Sequence, residues 1–155
     1  MDAARYIAEI VEPTIKDFET NPTSVRHAFL ACVASYHCIA YLCDAESEAS
    51  LRQEFRETSK DFALVDRLAH AMKHARTGHE RSKHIQPLDA ADVTSRPPAF
   101  WGVAAWDLSR WDDPDRGVTV KAEVEFDILD ALRGALEFLR GKLVSRDSDP
   151  GGVLC

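Results

Sequence analysis

The sequence predicts a mainly α-helical fold: an up-down bundle of about four main helices, with a small antiparallel β hairpin inserted before the last helix. Apolar residues recur at helical spacing from residue 3 to about residue 78 and again after residue 127. Between these regions, prolines at positions 87, 97, 98 and 114 exclude a long helix. Short alternating stretches beside these prolines are typical of strands. Short connections favour antiparallel helices, and hence the up-down order.

Two helices are predicted in the first 43 residues. Residues 3–20 contain Pro13, which either kinks the helix or begins a second one. The next helix is predicted over about residues 24–43, with Asn21 or Thr23 as its capping residue. This helix is apolar nearly all round, which is typical of the middle of a bundle. Its most apolar stretch, residues 28–43, is 16 residues long and contains Ser35, Tyr36 and His37. That stretch is too short and too polar to span a bilayer.

A third long helix and the β element follow. Residues 44–58 are predicted to be weakly helical, and Ser59 to cap a helix that ends at Gly78. Residues 100–106 and 118–124 are predicted to form the hairpin.

Residues 85–93 are predicted to add a short third strand, and Asp127 to cap the last helix. Residues 1–144 then make one domain with a β insertion at about 85–124. Residues 145–155 are predicted to be a flexible tail.

Composition excludes several classes of protein. The 155 residues carry a formal net charge of −7, which argues against broad charge-driven binding to nucleic acid or to an anionic membrane. Neither a signal peptide nor a membrane-spanning stretch is predicted. The four cysteines lack CxxC spacing, so we expect reduced thiols in a cytoplasmic protein. The protein is also expected to be of bacterial type.

The sequence is locally basic where four of its six histidines fall within residues 70–84. At 100° per residue, Arg67, His70 and His74 share one ridge of the third helix. The favoured interpretation is structural, because basic side chains stabilise the last turn of a helix. The ridge then serves as a helix end or an interface. The protein is accordingly predicted to be a non-enzymatic module that forms a homodimer or binds a protein partner.

A metal site is an alternative for the same ridge. His70 and His74 are four residues apart and could share one divalent ion. His79, Glu80 or His84 would have to supply the remaining ligands. Ala71 stands where an HExxH protease has its glutamate, so that class is excluded. No other cofactor is expected.

A second alternative is RNA chemistry. Arg67 and His74 are separated by six residues, which fits the pattern Rx4–6H. This helix end resembles that of the HEPN (higher eukaryotes and prokaryotes nucleotide-binding) superfamily, and the alanine-rich helix before it resembles the central helix of such bundles. The resemblance covers about residues 22–80 and leaves the β element unexplained.

The resemblance implies a metal-independent ribonuclease with RNA as its partner. His74, with His70 as a further candidate, would transfer protons, and Arg67 would stabilise the charge on the phosphorane. Phosphate contacts would come from Lys73, Arg76, Arg81 and Lys83.

His37 stands apart from this segment, in the most apolar helix. It is predicted to be a core histidine whose polar atoms are satisfied, rather than a catalytic group.

Overall fold

The computed structural model describes residues 1–43, 47–74, 88–96, 117–121 and 125–148, without the side chains of residues 74 and 146–148. Helices in these ranges are α1 (Ala3–Tyr6), α2 (Glu12–Thr20), α3 (Val25–Leu42), α4 (Glu48–Thr58), α5 (Lys60–His74) and α6 (Ile128–Ser148). The strands are β1 (Val93–Arg96), β2 (Gly117–Lys121) and β3 (Glu125–Asp127). The mainly helical class with a small antiparallel sheet is therefore confirmed, while the up-down order of the helices stays a prediction.

A π-helical turn over Ile7–Val11 joins α1 to α2. The backbone N–H of Glu12 donates to the carbonyl of Ile7, five residues earlier. Pro13 follows directly. A proline ring would clash with the carbonyl four residues before it, and the wider π turn relieves that crowding. The predicted disturbance at Pro13 is thus a local π turn inside one helical run.

The capping residue of α3 lies one position after Thr23 and three positions after Asn21, the two predicted caps. Ser24 is the capping residue, since its Oγ accepts a hydrogen bond from the backbone N–H of His27 at 3.3 Å. The prediction of Asn21 or Thr23 was wrong. Asn21 ends α2 instead, where its backbone N–H donates to carbonyls of the last turn.

The caps predicted for the later helices are confirmed. The Oγ of Ser59 accepts from the backbone of Phe62 at 3.2 Å, and the Oδ1 of Asp127 accepts from the backbone of Leu129 at 2.7 Å. Helix α6 continues to Ser148, beyond the predicted start of a tail at residue 145.

One hydrophobic core lies among α2, α3, α5 and α6, which pack in the pairs α2–α3, α3–α5, α5–α6 and α2–α6. The apolar side of α5 is buried, with no exposed surface on Phe62, Val65, Leu68 and Ala69. Helix α4 packs on α5 through its two buried residues, Leu51 and Phe55. Helix α3 contacts α2, α5 and α6, as expected for the central helix. No helix in the described ranges is long and apolar enough to cross a membrane.

The sheet has the order β1-β2-β3 within the described residues, and both pairings are antiparallel. Val120 of β2 lies opposite Val93 of β1 and Phe126 of β3. The predicted hairpin partner of β2, residues 100–106, lies outside the described residues. The partners that the structure gives β2 are β1 and β3.

Of the predicted strand at 85–93, the structure describes residues 88–93, and among these Val93 begins the strand β1 (Val93–Arg96). Asp89 and Asp92 form a reciprocal capping box around a 3₁₀ turn at Ala90–Asp92. Because this turn commits the backbone to local hydrogen bonds, the strand begins only after it.

Candidate ligand-binding site

The predicted site residues lie at the carboxyl-terminal end of α5. Arg67 and His70 are half-buried, and Lys73 is exposed. His74 is the last residue of α5, but its side chain lies outside the described residues, as do residues 76, 81 and 83. The predicted Arg67–His74 pair and the predicted His70–His74 metal pair are therefore described only in part.

Asp66, which sequence reasoning missed, is the charged centre of this region. Its side chain has no exposed surface. Arg56 of α4 donates from Nε to Asp66 Oδ2 at 2.5 Å, and the Nε of Arg52 lies 3.7 Å from Asp66 Oδ1. A buried carboxylate needs such partners, because an unpaired charge in the interior is costly. The available signal was Asp66 on the apolar side of α5, four residues after Phe62.

His70 is fixed by the same carboxyl-terminal turns of α5. Its Nδ1 lies 2.9 Å from the carbonyl oxygen of Asp66 and 3.7 Å from Asp66 Oδ1. A carbonyl oxygen can only accept, so Nδ1 carries the proton in this hydrogen bond. The lone pair of a neutral His70 then resides on Nε2.

Tyr36 of α3 is the common neighbour of four other side chains. The rings of His37 and His70 meet the Tyr36 ring edge-on, with centroids 5.0 and 4.9 Å away. The Cζ of Arg52 and the Nζ of Lys73 lie 4.8 and 5.0 Å from the centre of the Tyr36 ring, within the range of a cation–π interaction. We call Tyr36, His37, Arg52, His70 and Lys73 the Tyr36 cluster.

The phenol of Tyr36 is mostly buried. Burial raises the pKa of Tyr36 above its ordinary value of 10.0, against the opposing effect of Arg52, which hydrogen-bonds to it. Tyr36 is therefore protonated at neutral pH. Its ring provides a buried aromatic surface on which Arg52 and Lys73 pack.

His37 is exposed, so the prediction of a core histidine was wrong. Helix α3 is not covered all round: Leu30 and Tyr41 are also exposed, at 44% and 38%. The Nζ of Lys73 lies 3.3 Å from the Nε2 of His37. An ammonium group has no acceptor, so Lys73 donates and a neutral His37 accepts at Nε2.

The surroundings of His37 keep it neutral. Partial burial lowers the pKa of His37 below its ordinary value of 6.5, Lys73 and Arg52 lower it further, and Glu48 opposes them. At pH 7 His37 is therefore an uncharged acceptor beside a cation.

The charges of the cluster are unevenly matched. Arg56 pairs with Asp66, and the Nη2 of Arg52 lies 2.5 Å from Glu48 Oε1. Among the residues that the structure describes, no carboxylate forms an ion pair with Lys73. Counted over these described residues, the exposed rim of the cluster is positive, and the ammonium group of Lys73 lies at its edge.

Within the described ranges, no group of three or more histidine, cysteine, aspartate or glutamate residues is placed to hold a metal ion. The ligands expected to complete a site with His70 and His74 lie at residues 79, 80 and 84, outside those ranges. Cys32, Cys38 and Cys43 are free thiols, and burial raises the pKa of Cys32 and of Cys38 to about 12.

No family model, curated protein or solved structure matches the chain. The resemblance of residues 22–80 to HEPN-like bundles thus stays a prediction.

Proposed function

We propose that the protein is a non-enzymatic binding module, and that its Tyr36 cluster recognises an anionic group of the partner. The observation that carries this proposal is the exposed contact between Lys73 and His37, 3.3 Å apart, with no described carboxylate paired to Lys73. The two acidic groups nearby, Asp66 and Glu48, already pair with Arg56 and Arg52. An anion would complete the charge balance at the rim.

The cluster also holds its cations in place before any ligand arrives. Arg52 and Lys73 both pack on the Tyr36 ring, and Tyr36 is buried between helices. Long basic side chains normally lose conformational freedom when they bind, at a cost of about 0.5–1.5 kcal/mol each. A pre-ordered lysine and arginine lose less, which favours this surface over an ordinary exposed lysine.

The test is a titration with sodium sulfate, followed by ¹H–¹⁵N correlation spectra at constant ionic strength. We expect saturable shifts in the amides of α3 and α5 around Tyr36. Lys73→Ala should abolish them, whereas Lys60→Ala, at the exposed opposite end of α5, should leave them unchanged. Shifts that do not saturate, or that both variants weaken equally, would overturn the proposal.

Metal-independent RNA cleavage by Arg67 and His74 is a second candidate. The hydrogen bond from His70 Nδ1 to the Asp66 carbonyl favours this candidate. With the proton on Nδ1, Nε2 is the nitrogen of a neutral His70 that can accept a proton, so His70 would join Arg67 and His74 as a third catalytic group. RNA would be incubated in EDTA with the wild-type protein and with His74→Ala. Cleavage that His74→Ala abolishes supports this candidate. Equal cleavage by both proteins, or none by either, rejects it.

We further propose that the binding module forms a homodimer through the α5 ridge of Arg67, His70 and His74. Light scattering should then give twice the chain mass of 17.3 kDa. A mass of one chain across the micromolar range would reject the homodimer and leave a heterologous partner.

A further inference from the structure

We propose that the anionic group bound between Lys73 and His37 is the tetrahedral oxyanion of a phosphate group, and that His37 takes up a proton when it binds. This inference rests on the proposed function. It adds the chemical class of the ligand and a coupling between binding and pH.

The hydrogen bond between Lys73 and His37 gives the reason for proton uptake. Without a ligand, Lys73 Nζ donates a hydrogen bond to the lone pair on Nε2 of His37. An anion in reach of both atoms accepts from Lys73 but meets that lone pair on His37. Protonation at Nε2 turns the acceptor into a donor. The anion then receives one hydrogen bond from each helix, from Lys73 of α5 and from His37 of α3.

The charge of the occupied site favours a dianion. Lys73 and a protonated His37 together carry two positive charges, while the carboxylate of Asp66 is already paired with Arg56. A carboxylate ligand brings one negative charge and two oxygens, and leaves one cation unmatched. A phosphate group brings a charge of about −1.5 to −2 at pH 7 and three strong acceptor oxygens.

All described helices around His37 contribute to its titration. Tyr36 lies against it on α3, Lys73 faces it from α5, and Arg52 and Glu48 act on it from α4. In the free protein, burial, Lys73 and Arg52 lower the pKa of His37. A bound dianion neutralises Lys73 and attracts the imidazolium, so the pKa of His37 rises in the complex. By linkage, affinity must then increase as pH falls through the range between the two values.

Sulfate is the appropriate probe for this coupling, because its charge is constant between pH 5.5 and pH 8, whereas a phosphate ester itself titrates near pH 6. Sulfate affinity should rise severalfold from pH 8 to pH 6, with a limit of about tenfold per pH unit for one proton. His37→Gln should bind sulfate weakly and without this rise. His27→Gln, a histidine in the first turn of the same helix, is the matched control and should keep it.

The class of ligand is tested by competition at pH 7 against bound sulfate. Inorganic phosphate and a 5′-phosphorylated dinucleotide should displace sulfate, whereas acetate and the 5′-hydroxyl dinucleotide should not. Stronger displacement by the phosphorylated dinucleotide would assign the phosphate to a nucleic acid end, and equal displacement to a small phosphate ester. Both outcomes support a phosphate group.

Two outcomes overturn this inference and leave the proposed function intact: acetate displaces sulfate as well as phosphate does, or wild type and His37→Gln show the same pH dependence while binding still requires Lys73. Absence of any Lys73-dependent anion binding overturns both proposals.

Discussion

Asp66 and Arg56 form an ion pair, buried at the carboxylate, that joins α5 to α4. The Nε of Arg56 donates to Asp66 Oδ2 at 2.5 Å, and the carboxylate has no exposed surface. Arg52, one turn earlier on α4, lies between this carboxylate and the ring of Tyr36. Together with the buried Leu51 and Phe55, the ion pair therefore holds α4 against α5, and with α4 one of the two cations of the Tyr36 cluster.

Arg56→Ala should destabilise the protein by about 2–4 kcal/mol, because it leaves a buried carboxylate with Arg52 as its remaining arginine, at 3.7 Å. Urea unfolding monitored by circular dichroism measures the loss. Arg133→Ala is the control. It removes a pair with Glu19 in which the arginine side chain is 54% exposed, so about 0–1 kcal/mol is expected. Similar losses in the two variants would contradict the assigned role of Asp66.

Two glycines of α6 should respond oppositely to alanine. A Cβ at Gly134 would lie 3.1 Å from the Cβ of Asp61 and closer still to its carboxylate, whereas a Cβ at Gly141 meets nothing within 4 Å. Gly141→Ala should stabilise by about 0.5–1 kcal/mol through helix propensity. Gly134→Ala should destabilise by about 1 kcal/mol through crowding between α5 and α6.

Thermal melts of these variants supply the measurement. The double variant Asp61→Ala/Gly134→Ala removes the crowded carboxylate. Asp61→Ala should therefore increase stability more in the Gly134→Ala background than in the wild type. Additive effects would show that Asp61 is not the cause.

His37 should titrate below pH 6.5 in the free protein, and Lys73→Ala should raise its pKa by removing a neighbouring positive charge. Imidazole ¹⁵N shifts followed between pH 4.5 and pH 8 give both values. Because the folded state disfavours the imidazolium, the unfolded state binds more protons. The stabilising contribution is present above pH 6.5 and is lost as pH falls through the folded pKa. His37→Gln should therefore flatten the decline of stability below pH 6.5, and an unchanged decline would contradict this assignment.

Cys32 and Cys38 should resist iodoacetamide at pH 8 in the folded protein, because the thiolate is the nucleophile and burial raises the pKa of both thiols to about 12. Cys43 is only half-buried and should react first, as peptide mapping by mass spectrometry would show. In urea all three should react. The contribution of the buried thiols to stability is complete below pH 9 and is lost as pH rises from 9 towards 12. Equal labelling of Cys32 and Cys43 without urea would contradict the burial of α3.

Local signals in the sequence were sufficient where one turn of chain decides the outcome. Ser59 and Asp127 cap their helices as predicted, because a capping hydrogen bond spans only two or three residues. The start of β1 at Val93 follows from another local signal that the sequence contains, the Asp89–Asp92 capping box. Hairpin partners were not predictable in this way, since strand pairing depends on contacts that are distant in the chain.

The candidate site shows the same division. Periodicity placed His70 and Lys73 near the end of one helix, but α5 alone does not indicate that Tyr36 and Arg52, from two other helices, meet them there. His37 was assigned to the core because its helix is apolar, yet packing left that side of α3 exposed.

The sequence by itself determined the helical class and the starts of α5 and α6, because these depend on side-chain spacing and capping hydrogen bonds within a few residues. Tertiary structure alone decided that Asp66 is buried, that two arginines of α4 compensate its charge, and that Lys73 meets His37 across the gap between α5 and α3. Those pairings join residues 10 and 36 positions apart. Coulomb interactions and burial depend on distance in space, which the order of residues along the chain does not encode.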